Sequence, residues 1–460
     1  MPTLTNWNDE IQFIVPDDQF RTPKQISDVQ AIVKEASQRN QQVTVIGAMH
    51  STTACMVGTG VIISMKNMAR IISVDKKGMT VTVEGGVSLR QLCSHLKELG
   101  LQPPVVLEWG NFHIGAMSGT HANDTSMRHA AQFSSYVVSV KLVTPTGDVM
   151  EISEAKNSEY LPAIRSHFGL FGVVCEVTVR VLETRPLQVN FQVTKVDSFL
   201  DGYAGELKAL KSGYDQVFGM MFPTTGELLW QRRKFVEPGT PIPHSWLDPI
   251  ESRGISLFGD LFLPLVKAMT ALGPSASVAQ RLNAALIDLP LKIIRHSSYI
   301  VDPCDRGIIY SEDDPNFEFY DWVFPEDKWP EMVRALLQLS DRFQQEHDFV
   351  LPLPVVIYFI KQDQASLLSR SRTANMIAVD PEYPDPTDPT WKKFRFAFNE
   401  IAVIHGGIPH MNKTRDGAIN HFAKVYDPES IRRYLEIRKQ FDPKGLFLND
   451  FYKTTFKDYL

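Results

Sequence analysis

The sequence predicts an α+β fold in two main parts, and three observations support this. Short strands and helices alternate through residues 1–186. Two loops rich in glycine and polar side chains interrupt that alternation, at 47–53 and 108–129. Beyond Arg185 and Pro186 the chain turns to aromatic strands and long helices, which predicts a second domain whose sheet is covered by helices. A chain of 460 residues also exceeds the roughly 250 to 300 residues at which a single core stops growing.

Charge and hydropathy argue against two classes of partner. A net charge of -6 makes a clustered cationic face unexpected, so nucleic acid is not expected to bind. The N-terminal residues lack the basic and apolar regions of a secretory signal. The most apolar segment, 255–273, is interrupted by Asp260, Pro264 and Lys267 and falls short of the roughly 20 apolar residues that span a bilayer. No transmembrane segment is therefore expected.

The cysteines show neither a metal-binding spacing nor a disulfide framework. They are Cys55, Cys93, Cys175 and Cys304. We therefore expect a reducing, cytoplasmic setting and no metal site.

Local patterns predict the first elements in order. Apolar residues after Pro23 recur with the helical period, and 43–46 is typical of a buried strand. The segments IISVD and MTVTVEGG flank a Lys-Lys-Gly turn and predict a hairpin. A helix is expected over 89–99, with Ser88 as its N-cap and Gly100 at its end.

Both polar loops have the composition of ligand-binding loops. After the strand at 43–46, Gly47 opens a turn that carries an imidazole, His50, among small and hydroxyl-bearing residues. Successive backbone N–H groups in such a loop can bind a diphosphate. The second loop repeats glycine at 110, 115 and 119 and adds polar side chains, namely Ser118, Thr120, His121 and Asn123. Two such loops suggest the two ends of one extended ligand.

The remaining patterns set the expected domain boundaries. A helix is expected over 159–167, and Gly169 and Gly172 precede a long β-branched strand. Residues 1–186 are expected to form the first domain, 187–405 the second, and 406–460 a C-terminal segment. Within the second domain 255–295 is expected to be helical, and 381–390 to be a proline-rich surface loop. In the C-terminal segment a helix is expected over 430–440.

Four motifs carry a resemblance to a known family. Gly47-Ala48-Met49-His50-Ser51 resembles the G-x-x-H-S motif of the FAD-linked oxidases of the vanillyl-alcohol oxidase superfamily, which share a PCMH-type FAD-binding domain. Ser118-Gly119-Thr120-His121 is similar to their second flavin loop, and Gly169-x-x-Gly172-Val173-Val174 to the strand that closes their FAD domain. The tail FDPKGLF is similar to their terminal signature. Within the superfamily, sugar-1,4-lactone oxidases such as gulonolactone, arabinonolactone and alditol oxidases are the most similar.

The resemblance implies an FAD cofactor that is covalently attached through His50. A neutral imidazole is a competent nucleophile near pH 7, and His50 beneath noncovalent FAD is the alternative. The implied fold is a PCMH-type domain of two α+β subdomains beneath a cap. The implied cofactor-binding residues are Ile46, Gly47, Ala48, Met49, His50, Ser51, Thr52, Gly115, Ser118, Gly119, Thr120, His121, Asn123, Gly172, Val173, Val174 and Lys413.

One family feature is missing from the cap. The sugar-lactone and alditol oxidases carry a Glu-x-Arg pair on a cap strand, and the matching positions here are Val356 and Tyr358. Losing that pair removes charge-assisted hydrogen bonds worth roughly 1.5 to 3 kcal/mol each. The sequence therefore predicts a substrate that is less polar than a sugar lactone.

Four residues are candidates for the chemistry. Tyr358, His113 and His410 are candidate bases, in no fixed order, and Lys413 resembles the lysine that approaches the flavin pyrimidine edge. For Asp321 a structural ion pair is as well supported as a catalytic role.

The expected activity is an oxidase that transfers hydride from a substrate carbon to flavin and then reduces dioxygen to hydrogen peroxide. One alternative is a genuine aldonolactone or alditol oxidase whose acidic and basic groups come from elsewhere in the cap. A second is a flavin-holding protein without net oxidation. The sequence leaves the oligomeric state open.

Overall fold

A computed structural model describes residues 1–242, 264–269, 276–295, 297–306 and 317–460. Near the N-terminus a helix covers a three-stranded parallel sheet, and a separate two-stranded sheet precedes both. The elements are β1 (Thr3–Thr5), β2 (Gln12–Ile14), β3 (Phe20–Arg21), α1 (Ile26–Gln38), β4 (Val43–Ile46) and β5 (Val61–Ser64). The parallel sheet has the order β3-β5-β4, and the buried stripe Val29, Val33 and Ala36 of α1 packs in its core.

A five-stranded antiparallel sheet with short helices completes the N-terminal region. Its elements are β6 (Ile71–Asp75), β7 (Thr80–Glu84), α2 (Leu89–Glu98), β8 (Leu101–Gln102), α3 (Ile114–Met117), β9 (Val137–Val143), β10 (Val149–Ser153), α4 (Leu161–Ile164), β11 (Val173–Arg180) and β12 (Leu182–Glu183). The strand order is β10-β9-β11-β7-β6. Ser88 and Gln91 form a capping box at the start of α2, as the N-cap prediction requires.

The cap is a nine-stranded antiparallel sheet with helices packed on it. Its elements are β13 (Leu187–Lys195), α5 (Val196–Asp201), α6 (Tyr203–Gly213), β14 (Gln216–Phe222), β15 (Glu227–Phe235), α7 (Ala276–Ile294), β16 (Ser298–Val301), β17 (Glu318–Phe319), β18 (Trp322–Pro325), α8 (Trp329–His347), β19 (Val355–Ile360), β20 (Met376–Tyr383), α9 (Pro389–Ile404) and β21 (Ile408–Pro409). The order is β16-β13-β15-β14-β19-β20-β18-β21, with β17 paired to β20.

The C-terminal segment returns to the N-terminal region. Its helices are α10 (Arg415–Val425), α11 (Pro428–Phe441) and α12 (Asp450–Thr455). Asn449 caps α12 and donates to the carbonyl of Cys55 at 2.7 Å, which fastens the segment beside the first polar loop. Tyr434 and Phe456 pack in the same hydrophobic cluster as the five-stranded sheet.

Two local predictions differ from the structure, and a third falls largely outside the described residues. The expected helix over 159–167 is only a 3-10 turn followed by α4, because Phe168 and Gly169 adopt positive φ and reverse the chain. The first residues of the expected surface loop at 381–390 belong instead to the buried strand β20. Most of the apolar segment 255–273, including Asp260, lies outside the described residues. In the described part of the chain, no helix is long and apolar enough to cross a membrane.

Candidate active site

A cavity of about 1480 Å³ separates the polar loops of the N-terminal region from the cap sheet. Its floor comes from the loops after β4 and before α3, and its roof from side chains of β14, β19 and β20. Pockets for one drug-sized ligand usually measure about 300 to 1000 Å³. This cavity therefore has room for an extended cofactor and a second, smaller molecule.

The first polar loop forms one wall of the cavity. All seven predicted residues from Ile46 to Thr52 line it. The C-terminal segment fixes the loop, because the Thr52 N–H donates to the Asn412 carbonyl and the Thr52 hydroxyl to the Lys413 carbonyl, both at 2.8 Å. Met49 has φ 56°, so the backbone turns sharply immediately before His50.

His50 lies among aromatic rings at the cavity wall. The Phe112 ring centroid is 4.3 Å away with its edge turned to the imidazole, and those of Trp7 and Trp109 are each 6.2 Å away. Burial, followed by repulsion from Lys413, lowers the pKa of His50 to about 3. The imidazole is therefore neutral at physiological pH.

The second polar loop contributes four of its predicted residues to the same cavity. They are Gly115, Thr120, His121 and Asn123. A Cβ on Gly115 would lie 2.7 Å from the Gly85 carbonyl oxygen, so glycine is required by close backbone packing. His121 contacts the Leu368 carbonyl at 2.8 Å, which connects this loop to the cap.

Three predicted cofactor-binding residues lie outside the cavity wall. Ser118 is fully buried, and its hydroxyl donates to the Gly115 carbonyl at 2.7 Å. Gly119 packs against His167, where an added Cβ would come within 1.8 Å of the ring. Val173 belongs to the core beneath the loop, whereas its neighbours Gly172 and Val174 line the cavity.

Four buried side chains that line the cavity each have a polar atom for which the described residues provide no hydrogen-bond partner. The atoms are His113 Nδ1, His121 Nδ1, Asn412 Oδ1 and Asp380 Oδ1. Buried polar atoms are normally paired, so unpaired ones around a cavity indicate a ligand that completes their bonds. Together with the two small-residue loops, this donor and acceptor set fits FAD.

A buried polar cluster lies in the cap wall. Arg370 donates to Asp321 at 2.9 Å, to the Tyr358 oxygen at 3.0 Å and to the Asn123 side chain at 2.9 Å. Tyr358 in turn donates its phenolic hydrogen to Asp321. Burial alone would raise the pKa of Asp321, but Arg370 and Lys413 outweigh it and hold that pKa below the usual value. Asp321 is therefore an ionised carboxylate, and burial keeps Tyr358 protonated by raising its pKa.

Lys413 lies between two carboxyl groups of the cap. Its Nζ is 3.9 Å from Asp321 and 4.0 Å from Asp380, and it lies 4.5 Å from the centroid of the Phe319 ring. Burial and then repulsion by Asp321 raise the pKa of Asp380 to about 8. Glu382, which follows on the same face of β20, has its pKa raised by burial and by Asp380.

The two histidine candidates differ in what their nitrogens contact. His410 accepts from the Asn412 N–H at Nδ1 and contacts the His121 carbonyl with Nε2, both at 3.2 Å. Both of its ring nitrogens are therefore engaged by the backbone. His113 lines the cavity with an unpartnered Nδ1, and burial lowers its pKa, so it is neutral near pH 7.

A second charge network joins the cap to the loop before α3. Arg233 and Arg306 each bridge Glu108 and Asp124, with contacts between 2.7 and 3.5 Å. Arg233 is 1% exposed, so its charge depends on these partners. The network holds one end of the cavity together.

Sequence reasoning did not single out Arg370, Asp380 or Glu382. Arg370 lies in a segment without regular periodicity, and only the fold brings it to Asp321. Asp380 and Glu382 did carry a signal, because two acids spaced by two in an apolar strand place both carboxyls on one face.

Two protein-family models match the chain. The FAD binding domain model matches residues 18–153, and the D-arabinono-1,4-lactone oxidase model matches residues 177–455, which is more than half of the chain. Among curated proteins, L-gulonolactone oxidase of Mus musculus is 26% identical, over 95% of this chain and 94% of that protein. L-gulono-1,4-lactone dehydrogenase of Mycobacterium tuberculosis is 25% identical, over 98% of both chains.

Solved structures support the fold. A solvent-stable cholesterol oxidase superposes with a TM-score of 0.77 at 15% identity, covering 98% of this chain and 97% of that one. The cholesterol oxidase from B. sterolicum gives a TM-score of 0.77 at 14% identity, covering 98% and 96%. These similarities confirm the predicted PCMH-type α+β fold with a cap. At this level of identity they carry no information about the substrate.

Proposed function

The chain belongs to the D-arabinono-1,4-lactone oxidase family, as an FAD-dependent oxidoreductase, and from this we propose that it oxidises a sugar 1,4-lactone or an alditol. The observation that carries the proposal is the polar cluster of Tyr358, Asp321, Arg370 and Lys413 in the cap wall of the cavity. This proposal favours the alternative over the less polar substrate that the sequence predicts. The named curated relatives act on sugar lactones, which supports the same choice.

The protein's own groups bind the substrate and move one proton. The Tyr358 oxygen accepts from Arg370 and its hydroxyl hydrogen is donated to Asp321, so the remaining lone pair is held in a fixed position to accept a hydrogen bond from a substrate hydroxyl. His113 offers a neutral imidazole with an unpartnered Nδ1 and takes the substrate hydroxyl proton. His410 holds the C-terminal loop in position, because both its nitrogens are engaged.

Bound FAD would supply the hydride acceptor and pass two electrons on to dioxygen, with hydrogen peroxide as the product. Residues 46–52, Gly115, Thr120, His121 and Asn123 would hold the cofactor, since all of them line the cavity.

The proposal includes a covalent attachment of FAD through His50. The imidazole is neutral, which is the form that acts as a nucleophile, and aromatic rings fix its position. A reducing cytoplasmic setting is also part of the proposal, because the four cysteines are buried free thiols.

A second candidate is a less polar alcohol, favoured by one observation. Val356 lies at the position where the resembling enzymes have an acid, and together with Phe218 it offers apolar contact in the cavity opposite the loops. A substrate without further hydroxyl groups would be bound there by burial of apolar surface.

The test uses the purified yellow holoenzyme under anaerobic conditions. L-gulono-1,4-lactone, D-arabinono-1,4-lactone and xylitol are expected to bleach the visible flavin band, and peroxide is expected when oxygen is admitted. Bleaching only by apolar alcohols would support the second candidate. No bleaching by any substrate of the panel would contradict both and favour a flavin-holding protein without net oxidation.

The attachment has its own test. Acid precipitation is expected to leave the yellow colour in the pellet of the wild type and in the supernatant of His50→Ala. Colour released from the wild type would exclude the covalent bond and leave His50 beneath noncovalent FAD.

A further inference from the structure

Asp380 and Glu382 place two carboxyl groups side by side in the cap wall. They are two residues apart on β20, so both side chains leave the strand on the same side, and both line the cavity. Their exposed fractions are 1% and 9%. Burying two acids in an otherwise apolar strand costs folding free energy, so the pair is expected to serve a ligand.

Protein contacts leave Asp380 incompletely bonded. Among the described residues its Oδ1 has no hydrogen-bond partner, and its Oδ2 is 4.0 Å from Lys413 Nζ. The residue directly opposite on β19 is Val356, whose side chain offers no hydrogen bond. Because Asp380 lines the cavity, a bound molecule can supply the partner that Oδ1 lacks.

The charge state of the pair suits hydroxyl groups. Burial and Asp321 raise the pKa of Asp380 to about 8, so Asp380 carries a proton near neutral pH, and burial and Asp380 raise the pKa of Glu382 in the same direction. A protonated carboxyl donates one hydrogen bond and accepts others, as a sugar hydroxyl does. A cationic ligand would instead favour two ionised acids, and Lys413 already lies beside Asp380.

We propose that Asp380 and Glu382 are specificity-determining residues that bind adjacent hydroxyl groups of a polyhydroxylated substrate. The inference rests on the proposed function and narrows its substrate class to lactones or alditols with free hydroxyls beyond the one oxidised. Strand β19 has Val356 where the resembling enzymes have an acid. Here the residue paired with Val356 on β20, Asp380, supplies an acid at that place. An alkyl alcohol would leave Asp380 Oδ1 without a partner, and sites that hydrogen-bond a hydroxyl discriminate strongly against ligands that lack it.

The experiment compares Asp380→Asn and Glu382→Gln with wild-type holoenzyme. The probes are L-gulono-1,4-lactone and 2-hydroxy-γ-butyrolactone, which carries a single hydroxyl group. Each variant is expected to raise KM for the first probe at least tenfold, to change kcat less than threefold, and to leave kcat/KM for the second within threefold. If the two acids had only a structural role, the variants would change KM and kcat together and would affect both probes alike.

Asp385→Asn is the matched control, because this exposed carboxylate follows β20 and, within the described part of the chain, its side chain hydrogen-bonds only within its own turn. Asp385→Asn is expected to keep the wild-type KM and kcat for both probes. Wild-type turnover of L-gulono-1,4-lactone with unchanged KM in both test variants would overturn the inference and leave the proposed function standing. If no lactone or alditol reduced the flavin of the wild type, both the inference and the proposed function would be overturned.

Discussion

Arg370 and Asp321 form a buried ion pair in the cap wall, with Nη1 of Arg370 2.9 Å from Oδ1 of Asp321. Their side chains are 2% and 0% exposed, so water does not stabilise either charge. Tyr358 and Asn123 complete the hydrogen bonds of the pair. The pair therefore fixes the position of the Tyr358 hydroxyl in the cavity.

Arg370→Met is expected to destabilise the protein by about 3 to 5 kcal/mol, because it leaves Asp321 as an uncompensated buried charge. Denaturant unfolding of the purified variant measures the free energy. The double variant Asp321→Asn with Arg370→Met removes both charges and should recover part of the loss. If the unfolding free energy of Arg370→Met lay within 1 kcal/mol of the wild-type value, Lys413 alone would be enough to compensate the charge of Asp321.

Tyr358→Phe is expected to lower kcat/KM for L-gulono-1,4-lactone by about 10²-fold, the typical cost of one fixed hydrogen-bonding group at a reacting centre. Flavin content should not change. Tyr426→Phe is the control, since Tyr426 is also buried but donates to the Pro409 carbonyl outside the cavity wall. Equal losses in the two variants would argue that Tyr358 acts only through packing.

His113→Gln is expected to lower the rate of anaerobic flavin reduction by about 10²- to 10⁴-fold, the range for loss of a general base. Burial lowers the pKa of His113 below 6.5, so the wild-type base stays neutral and active well below neutral pH. Its activity should decline only as the pH falls through that lowered pKa. Stopped-flow reduction between pH 5 and 9 tests this.

The exposed His129 gives the matched control for that experiment, because His129→Gln removes an imidazole that does not line the cavity. A wild-type rate that already falls with a midpoint at pH 6.5 or above would contradict a buried neutral base. So would a His113→Gln variant with the wild-type rate.

Local signals predicted the N-terminal region better than the cap. Gly47 and His50 directly follow a buried strand, so the loop could be expected from the sequence, although the C-terminal segment fixes it. Ser88 and Gly100 likewise mark the start of α2 and the residues just after its end. These are interactions between residues close in sequence.

The cap site depends on contacts between distant residues. Arg370 meets Asp321 from 49 residues away, and no periodicity announces that contact. The proline-rich pattern predicts that Pro381 begins a surface loop, yet Pro381 lies within the buried strand β20 between two acids. The absence of an acid at Val356 predicts an apolar site. Asp380 lies opposite Val356 on β20, and the sequence alone does not show which residues of the two strands pair.

The stability of the substrate-free protein is expected to fall as the pH rises from about 4 to about 8 through Asp380. Its folded pKa of about 8 lies above the ordinary 3.8, so the folded state holds a proton that the unfolded state has lost. The stabilisation that the Asp380 proton contributes is complete below pH 3.8 and is lost as the pH passes about 8. Between these values the unfolding free energy falls by at most about 1.4 kcal/mol per pH unit.

Asp380→Asn removes this titration. Relative to Asp380→Asn, the wild type should lose unfolding free energy as the pH rises from 5 to 9. Glu382 changes stability in the same direction, so the comparison is repeated in a Glu382→Gln background. Parallel pH curves in both backgrounds would mean that Asp380 is already ionised in the folded protein.

Gly119→Ala is expected to destabilise the protein by about 1 to 3 kcal/mol, because its Cβ would lie 1.8 Å from the His167 ring and force that ring to move. His167 also contacts the Gly115 carbonyl, so the second polar loop should shift and flavin content should fall with stability. Gly205→Ala in α6 is the control, since its Cβ meets nothing within 4 Å and alanine favours the helix. Thermal unfolding and flavin per chain are measured together. If Gly119→Ala lost flavin at unchanged stability, Gly119 would contact the cofactor directly and its packing against His167 would not explain the glycine.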